Sequence, residues 1–207
     1  MNGVQITKPL LRDVSLVAIV RDEMMNPAGG IVDFVDSTVL YVEEAVIVDT
    51  GSKDGTWETL QELGKRHDNL RIFQDSDAFR KEGYAGARNL SLQHASKRMA
   101  LVLDADERLT AADFGELQRI VEVNRADVYL FGLLEIDPNG CEELRTNWGH
   151  PTRMFCVKSF KYKDRVWECL HYDKNIVDSP DPKQLLALVT IKHFVPSIIV
   201  TQRKRRE

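Results

Sequence analysis

Short apolar runs alternate with segments of helical spacing along the first half of the chain. The runs are residues 14–20, 45–48, 70–73 and 99–103, and the helical segments are residues 31–44, 56–67 and 84–97. Continuous apolar runs of this length are typical of strands buried on both faces, whereas apolar positions three and four apart indicate helices. Strands that alternate with helices predict an α/β fold, with a mostly parallel sheet and helices on both of its faces.

The pattern changes after residue 110. Thr110 and Asp113 form a capping signal for a helix over residues 110–123. A strand is predicted over residues 127–136, ending in a turn at 137–140. Further strand-like pieces are residues 153–157, 160–162 and 188–194. No repeat, low-complexity tract or linker divides the chain, so residues 1–207 are predicted to form one domain.

Composition narrows the class of protein. With 207 residues, 43% of them hydrophobic and 29% charged, the chain can bury a sizeable core. No apolar run reaches the length of a membrane span, and the first 13 residues lack the apolar region of a signal peptide, so a cytoplasmic protein is expected. The three cysteines have no metal-ligand spacing and are expected to be reduced and buried.

The charge balance bears on partners. A net charge of −4 argues against a surface that coats nucleic acid, although residues 196–207 form a basic tail with four consecutive cationic residues at 203–206. Such a tail is most often a solvated chain end. Contact with an acidic acceptor or a membrane surface is the alternative.

Two carboxylates follow the strand at residues 99–103. Asp104 and Asp106 are separated by one residue, and ligands of open α/β sheets bind just beyond the carboxyl ends of the strands. Like charges this close repel unless a cation neutralises them, and carboxylate oxygens suit Mg²⁺ or Mn²⁺, which also bind substrate phosphates. The pair therefore predicts a metal ion together with a phosphorylated ligand. The alternative is a turn whose aspartates cap the next helix.

A second acidic strand end lies upstream. Residues 45–48 run into Asp49 and then into a turn that contains Gly51 and Ser52. Asp49 is expected to point towards the same sheet edge as Asp104. An ordinary strand-to-helix turn would explain the glycine, but it leaves Asp49 without a partner.

Four segments in this order resemble glycosyltransferase family 2, a set of nucleotide-sugar-dependent enzymes with the GT-A fold. They are residues 14–23 (VSLVAIVRDE), 48–56 (VDTGSKDGT), 86–89 (GARN) and 103–107 (LDADE). The resemblance is strongest over residues 14–110 and continues more weakly through residues 151–155 and 166–168. Each motif is short, but four of them in the right order on the right elements are specific.

The resemblance implies a GT-A fold and an inverting transfer of a sugar to an acceptor hydroxyl. The donor would be a nucleoside-diphosphate sugar, with UDP-sugars favoured, and the cofactor Mn²⁺ or Mg²⁺. Acceptors would include a glycan, a lipopolysaccharide or another glycoconjugate. Residues 14–110 would form the nucleotide-sugar-binding half and residues 111–195 the acceptor-side half.

The resemblance also implies site residues. Asp49 would contact the nucleobase or ribose, and Asp104 and Asp106 would hold the diphosphate through the metal ion. By residue type alone, and not from the resemblance, His193 and His171 are candidates for a third metal ligand, with an ordinary core or surface histidine as the alternative. The full set predicted to bind the nucleotide-sugar is Val20, Asp22, Glu23, Asp49, Gly51, Ser52, Arg88, Asp104 and Ala105.

An inverting displacement needs a base beside the acceptor hydroxyl. Glu168 is the candidate, with an ordinary surface carboxylate as the alternative. Related sequences often have His where this chain has Trp167, whose ring suits the apolar face of a sugar. Arg88 is expected to reach the acidic cluster or a phosphate through its planar guanidinium, and Arg153 to do the same on the acceptor side.

Three other functions stay open at this stage. A nucleotidyltransferase also uses strand-end carboxylates with Mg²⁺, but the glycine-rich loop with a basic residue that usually follows its first strand is absent here. The chain could instead bind a nucleotide sugar or a partner protein without turnover. A third alternative is glycosyl transfer to a modified nucleic-acid base, assisted by the basic tail.

Overall fold

The computed structural model describes residues 10–123, 126–144, 152–163, 169–172 and 182–195. The helices are α1 (Gly30–Thr38), α2 (Thr56–Arg66), α3 (Ser76–His94) and α4 (Ala111–Val123), with short 3-10 turns at Val39–Tyr41 and Val157–Ser159. The strands are β1 (Leu11–Val20), β2 (Val42–Asp49), β3 (Leu70–Gln74), β4 (Met99–Val102), β5 (Glu107–Arg108), β6 (Val128–Ile136), β7 (Glu142–Leu144), β8 (Thr152–Cys156), β9 (Phe160–Lys163), β10 (Cys169–Tyr172) and β11 (Gln184–Phe194).

The main sheet has the strand order β3-β2-β1-β4-β8-β6-β11-β5, and β7 pairs with β6. The first four strands are parallel to one another. Beyond β4 the pairing is mixed, because β8 runs antiparallel to both β4 and β6, while β11 is parallel to β6. The predicted α/β class is confirmed. The carboxyl ends of β1, β2 and β4 lie side by side at one sheet edge.

The core lies on both faces of this sheet. Successive residues of β1 enter different apolar clusters, since Leu16 packs with α1, α2 and α4, whereas Val17 packs with α3 and β9. Side chains of adjacent strand residues point to opposite faces, so a strand covered on both sides needs an unbroken apolar run. This explains why the strands could be predicted from the sequence.

The predicted helix over residues 31–44 is too long. Helix α1 ends at Thr38, and β2 begins at Val42, three residues before the predicted strand. The amide of Asn69 donates hydrogen bonds to the carbonyls of Val39 and Val42, at 2.9 and 2.8 Å. These carbonyls are therefore satisfied outside a helix, which allows the chain to enter the sheet early.

The predicted helix over residues 84–97 begins too late and ends too late. Helix α3 starts at Ser76, where the carboxylate of Asp75 accepts hydrogen bonds from two backbone amides, and it ends at His94. Gly83 interrupts it with φ 67° and ψ −148°, a conformation that favours glycine. The predicted start at residue 84 is thus the first residue of the segment that follows this break.

Cys141 and Cys156 differ in burial. Cys156 is half-buried, whereas Cys141 is exposed, and both are free thiols. The expectation of burial was therefore wrong for Cys141, which directly follows the turn at Gly140.

Among the described residues, none of the helices has the length and apolar character required to cross a membrane.

A buried carboxylate ties the first three strands together. Glu44 on β2 accepts hydrogen bonds from the Ser15 hydroxyl, from the Ser96 amide at 2.8 Å and from the Arg71 guanidinium at 2.9 Å. Burial would raise the pKa of Glu44, but the hydrogen bonds outweigh it and lower the pKa below its ordinary value of 4.5.

We expect Glu44→Gln to lower the free energy of unfolding by about 1–3 kcal/mol at pH 7, because buried donors then lose a charged acceptor. A carboxylate with a lowered folded pKa stabilises fully above its unfolded pKa and loses that contribution as the pH falls through the folded pKa. The difference in the free energy of unfolding between wild type and variant should therefore become smaller below about pH 4.5. Urea denaturation across a pH series measures it, and a constant difference would show that the charge of Glu44 is not the cause.

Candidate active site

The predicted carboxylates lie where the carboxyl ends of β1, β2 and β4 meet. Asp49 ends β2 opposite Val20, the last residue of β1, and Asp104 follows β4, which pairs with β1 on its other side. The Val20 carbonyl accepts a hydrogen bond from the Thr50 amide at 2.9 Å, which holds the ends of β1 and β2 together. The fold therefore brings both acidic strand ends to one edge.

Asp49 has one occupied and one free carboxylate oxygen. Its Oδ1 accepts hydrogen bonds from the amides of Gly51 and Ser52, at 2.9 and 3.0 Å, and from the Gln74 side chain at 3.2 Å. Its Oδ2 is buried and has no hydrogen-bond partner among the described residues. A buried acceptor without a partner costs free energy. Asp49 therefore offers an acceptor to a ligand at this edge.

The loops after β1 and β2 interlock. The Asp22 amide donates to the Ser52 hydroxyl at 2.9 Å, and the Asp22 carboxylate accepts from the Lys53 amide at 2.7 Å. The Glu23 amide donates to the Thr56 hydroxyl at 2.8 Å. Asp22 adopts φ 55°, which is unusual for a residue other than glycine. The predicted residues of these loops thus bind one another and give the edge a fixed shape.

Asp104 lies between two arginines. Arg88 of α3 is 2% exposed and donates to Asp104 Oδ1, and Arg153 of β8 donates to Asp104 Oδ2 at 3.4 Å. Burial alone would raise the pKa of Asp104, but the two guanidiniums outweigh it and hold the pKa well below its usual range. The cations that neutralise Asp104 here are guanidiniums. Arg153, predicted on the acceptor side, lies at this carboxylate cluster.

The motif at residues 86–89 has a physical reason at three positions. A side chain at Gly86 would place its Cβ 2.5 Å from the Ala78 carbonyl oxygen. Arg88 pairs with Asp104, as described above. The side chain of Asn89 donates to the Tyr162 carbonyl and accepts from the Tyr162 amide, at 2.9 and 2.8 Å. Asn89 thus fastens β9 to α3.

Glu107 belongs to the cluster, and the sequence analysis missed it. It is 1% exposed, and it accepts hydrogen bonds from the Asp104 amide at 2.9 Å and from Arg153. Burial, together with the nearby carboxylate of Asp104, outweighs Arg153 and raises the pKa of Glu107 to about 7. The available signal was the two-residue spacing of Ala105, Glu107 and Leu109, which places all three on the buried side.

Asp106 has a different neighbour, His193. Its Oδ2 lies 3.7 Å from His193 Nε2, while His193 Nδ1 lies 3.4 Å from the Glu135 carboxylate. Strand β5 pairs with β11, which sets Glu107 opposite His193 and so places the histidine beside Asp106. The Asp106 carboxylate raises the pKa of His193. The other candidate histidine, His171, is exposed on β10.

Asp106 and His193 fit a small divalent ion as a pair of protein ligands. Among the described residues, no three His, Cys, Asp or Glu side chains are grouped so as to hold a metal ion. The 3.7 Å gap between Asp106 and His193 is too long for a hydrogen bond. Two ligand atoms of one such ion can be up to about 4 Å apart, so this distance allows both side chains to bind the same ion. Mg²⁺-type ions usually take one or two carboxylates and complete their shell with water and substrate phosphates.

Two predicted residues lie outside the described residues. They are Trp167 and Glu168, which precede β10 in the chain. The described part of the candidate site consists of the Asp49 carboxylate, Asp104 and Glu107 with the two arginines, and the pair of Asp106 and His193.

The sequence pattern of one protein family, described as "Glycosyl transferase family 2", matches residues 26–181. This match covers more than half of the chain. The chain belongs to glycosyl transferase family 2. The resemblance inferred from the four motifs is thereby confirmed.

Solved structures share the GT-A fold of this family 2 member. S. aureus TarS is 14% identical, with a TM-score of 0.62 over 88% of this chain and 36% of TarS. GalNAc-T7 with UDP, GalNAc and Mn²⁺ is 15% identical, with a TM-score of 0.62 over 89% of this chain and 43% of GalNAc-T7. S. aureus TarS 1–349 in complex with UDP-GlcNAc is 13% identical, with a TM-score of 0.61 over 89% of this chain and 59% of that chain.

Proposed function

We propose that this chain transfers a sugar from a nucleoside-diphosphate donor, with UDP-sugars favoured, to an acceptor hydroxyl, with inversion at the anomeric carbon. The observation that carries the proposal is the sheet edge that joins the free acceptor of Asp49 to the pair of Asp106 and His193. Membership of family 2 supports it, as do related folds solved with UDP, UDP-GlcNAc, and GalNAc with Mn²⁺.

In this proposal Asp49 recognises the nucleoside. Its buried Oδ2 accepts a hydrogen bond from the base or the ribose, and this satisfies an oxygen that otherwise lacks a partner. The remaining residues proposed to line the nucleotide pocket are those of the interlocked loops and strand ends: Val20, Asp22, Glu23, Gly51, Ser52 and Ala105.

Asp106 and His193, with Asp104 beside them, would hold Mn²⁺ or Mg²⁺. When bound, the ion acts as a Lewis acid that stabilises the negative charge on the departing diphosphate. Arg88, which is buried, and Arg153, which is partly buried, add two cationic groups next to Asp104. A guanidinium can contact a carboxylate and a phosphate through different N–H groups, so these arginines can orient Asp104 and attract the diphosphate together.

Glu168 is the proposed base, and residues 111–195 the proposed acceptor side. Its carboxylate would take the proton of the acceptor hydroxyl while that oxygen bonds to the anomeric carbon and the bond to the diphosphate oxygen breaks. Trp167 would stack against a sugar face. The support is the position of both residues inside the part of the chain that matches family 2.

The proposal predicts that UDP raises the melting temperature of the protein more than GDP, CDP or ATP does, and that Mn²⁺ enlarges the effect. A ligand that binds only the folded state stabilises it by about 2.7 kcal/mol at 100 times its Kd. Thermal unfolding with each nucleotide, with and without Mn²⁺, measures this. Stabilisation by ATP alone would point to a nucleotidyltransferase instead.

Turnover is tested by the release of UDP from UDP-GlcNAc and UDP-GalNAc, with water as the acceptor. The wild-type protein should release UDP from one of these donors. Glu168→Gln should lose release and keep the UDP-dependent thermal shift, since the base is not needed for binding. Tight UDP binding without release from any UDP-sugar would favour a non-catalytic nucleotide-sugar-binding domain.

A further inference from the structure

The carbonyl oxygen of Ala105, between the two aspartates of the motif, is held by two side chains from different parts of the chain. The Asn26 side-chain amide donates to it at 2.9 Å, and the Arg108 guanidinium donates at 2.8 Å. Asn26 is 6% exposed, and the guanidinium of Arg108 lies over the Phe34 ring at 5.5 Å. We refer to Asn26 and Arg108 together as the Ala105 clamp.

The Ala105 clamp is anchored in the loop after β1. The carbonyl oxygen of the Asn26 side chain accepts hydrogen bonds from the amides of Ala28 and Gly30, at 2.9 and 3.0 Å. Arg108 also donates to the Ala28 carbonyl at 2.7 Å. We call residues 104–106 the carboxylate loop. Each clamp residue therefore joins the loop after β1 to the carboxylate loop.

The other carbonyls of the carboxylate loop are also bonded. The Asp104 carbonyl accepts from the Glu107 amide at 2.9 Å, and the Asp106 carbonyl accepts from the Phe194 amide at 3.0 Å. Since Phe194 follows His193, this bond links the loop to the strand that supplies the histidine. The backbone on both sides of Asp106 is thus fixed by hydrogen bonds.

Fixing the Ala105 carbonyl has a direct consequence for Asp106. The peptide bond between them is planar, so the carbonyl direction also sets the direction of the Asp106 amide. The orientation of the Asp106 carboxylate then depends only on its side-chain rotamer. A ligand that is already oriented does not lose this conformational freedom when the ion binds.

We propose that Asn26 and Arg108 are positioning residues, which hold the Asp106 carboxylate in the orientation that binds the divalent ion and the diphosphate. This inference rests on the proposed function, because it assigns a purpose to the same carboxylate. The clamp residues themselves act through the backbone of Ala105.

Asn26→Ser and Arg108→Lys test the proposal. Serine can still accept a local amide hydrogen bond but is too short to reach Ala105. Lysine keeps the charge of Arg108 but lacks the planar fork that donates to the carbonyls of Ala28, Ala105 and Glu107 at once. In the presence of Mn²⁺ we expect each variant to bind UDP about 10- to 100-fold more weakly, the range for groups that orient a metal ligand. Without Mn²⁺ the Kd for UDP should stay within about threefold of wild type.

A second readout needs no metal ion. Amide hydrogen exchange of Glu107 and Phe194, both bonded at the carboxylate loop, should be at least about tenfold faster in either variant, because the loop opens more readily. Asn69→Ser is the matched control, since Asn69 also joins two carbonyls but at the amino end of β2. This control should lower stability without changing the effect of Mn²⁺ on UDP affinity.

The outcomes are distinguishable. If both clamp variants keep the wild-type ratio of the UDP Kd values without and with Mn²⁺, the clamp does not position Asp106 and the inference is wrong. If the Asn69 control loses that ratio as well, the effect comes from general destabilisation and the inference also fails. A wild-type Kd for UDP that does not respond to Mn²⁺ would overturn the proposed metal-dependent function, and with it this inference.

Discussion

Asp106→Asn is expected to remove nearly all of the effect of Mn²⁺ on UDP affinity. The variant keeps the shape of the side chain, but a neutral amide is a poor ligand for a hard divalent ion. Groups that orient a metal ligand typically change metal affinity by about 10- to 100-fold. The loss of the Mn²⁺-dependent gain in UDP affinity should be larger, more than 100-fold or about 2.7 kcal/mol. Calorimetric titration of UDP, with and without saturating Mn²⁺, gives the two Kd values that are compared.

A second aspartate and histidine pair provides the control. Asp36 lies 3.3 Å from His67. Asp36 is in the last turn of α1, and His67 directly follows α2. Asp36→Asn should leave both Kd values for UDP at the wild-type level. Asp106→Asn with a normal Mn²⁺ effect would mean that another group holds the ion, and Asp104 would then be the next candidate.

The parts of the site that the sequence predicted are those encoded by neighbouring residues. Asp49 directly follows the apolar run of residues 45–48, and Asp104 and Asp106 follow the run of residues 99–103, so the strand and its end can be predicted together. The helices α2 and α4 were likewise predicted to within one residue at each end. For α4, Thr110 and Asp113 exchange the expected hydrogen bonds, which shows that the capping signal is local.

The parts that the sequence did not predict depend on long-range pairing. Arg153 reaches Asp104 because β8 inserts beside β4, and this strand order is invisible in local periodicity. Strand β5 has only two residues, and its partner β11 lies far along the chain, so the pairing that sets Glu107 opposite His193 cannot be read from the local pattern. Asn26 resembles an ordinary loop residue until its contact with Ala105 is known. Sequence reasoning therefore named the three aspartates and Arg88, and it missed Glu107, Asn26 and Arg108.

Arg153→Met is expected to lower the free energy of unfolding by about 1–3 kcal/mol, the cost of leaving buried acceptors without their donor. Glu107, whose pKa is already about 7, takes up a proton at pH 7 when Arg153 is removed, which limits the loss. Arg153 donates to both Glu107 and Asp104, and its side chain is 16% exposed. Methionine has a similar length but no charge, so Glu107 would be left buried beside Asp104 with one cation fewer. Urea denaturation at pH 7 measures the loss, and a change below about 0.5 kcal/mol would show that the pair does not stabilise the fold.

The double variant Arg153→Met with Glu107→Gln separates the structural role of Arg153 from a role in binding. A glutamine at position 107 still offers an oxygen to the Asp104 amide but carries no charge. Most of the lost stability should therefore return, as expected for a coupled pair in a double-mutant cycle. Arg153→Met is also expected to weaken UDP binding with Mn²⁺, because the second cation beside Asp104 is lost. The double variant should bind UDP as weakly as the single variant, because that cation is still missing. If affinity returns together with stability, Arg153 serves the fold alone, and Arg88 would be the guanidinium that attracts the diphosphate.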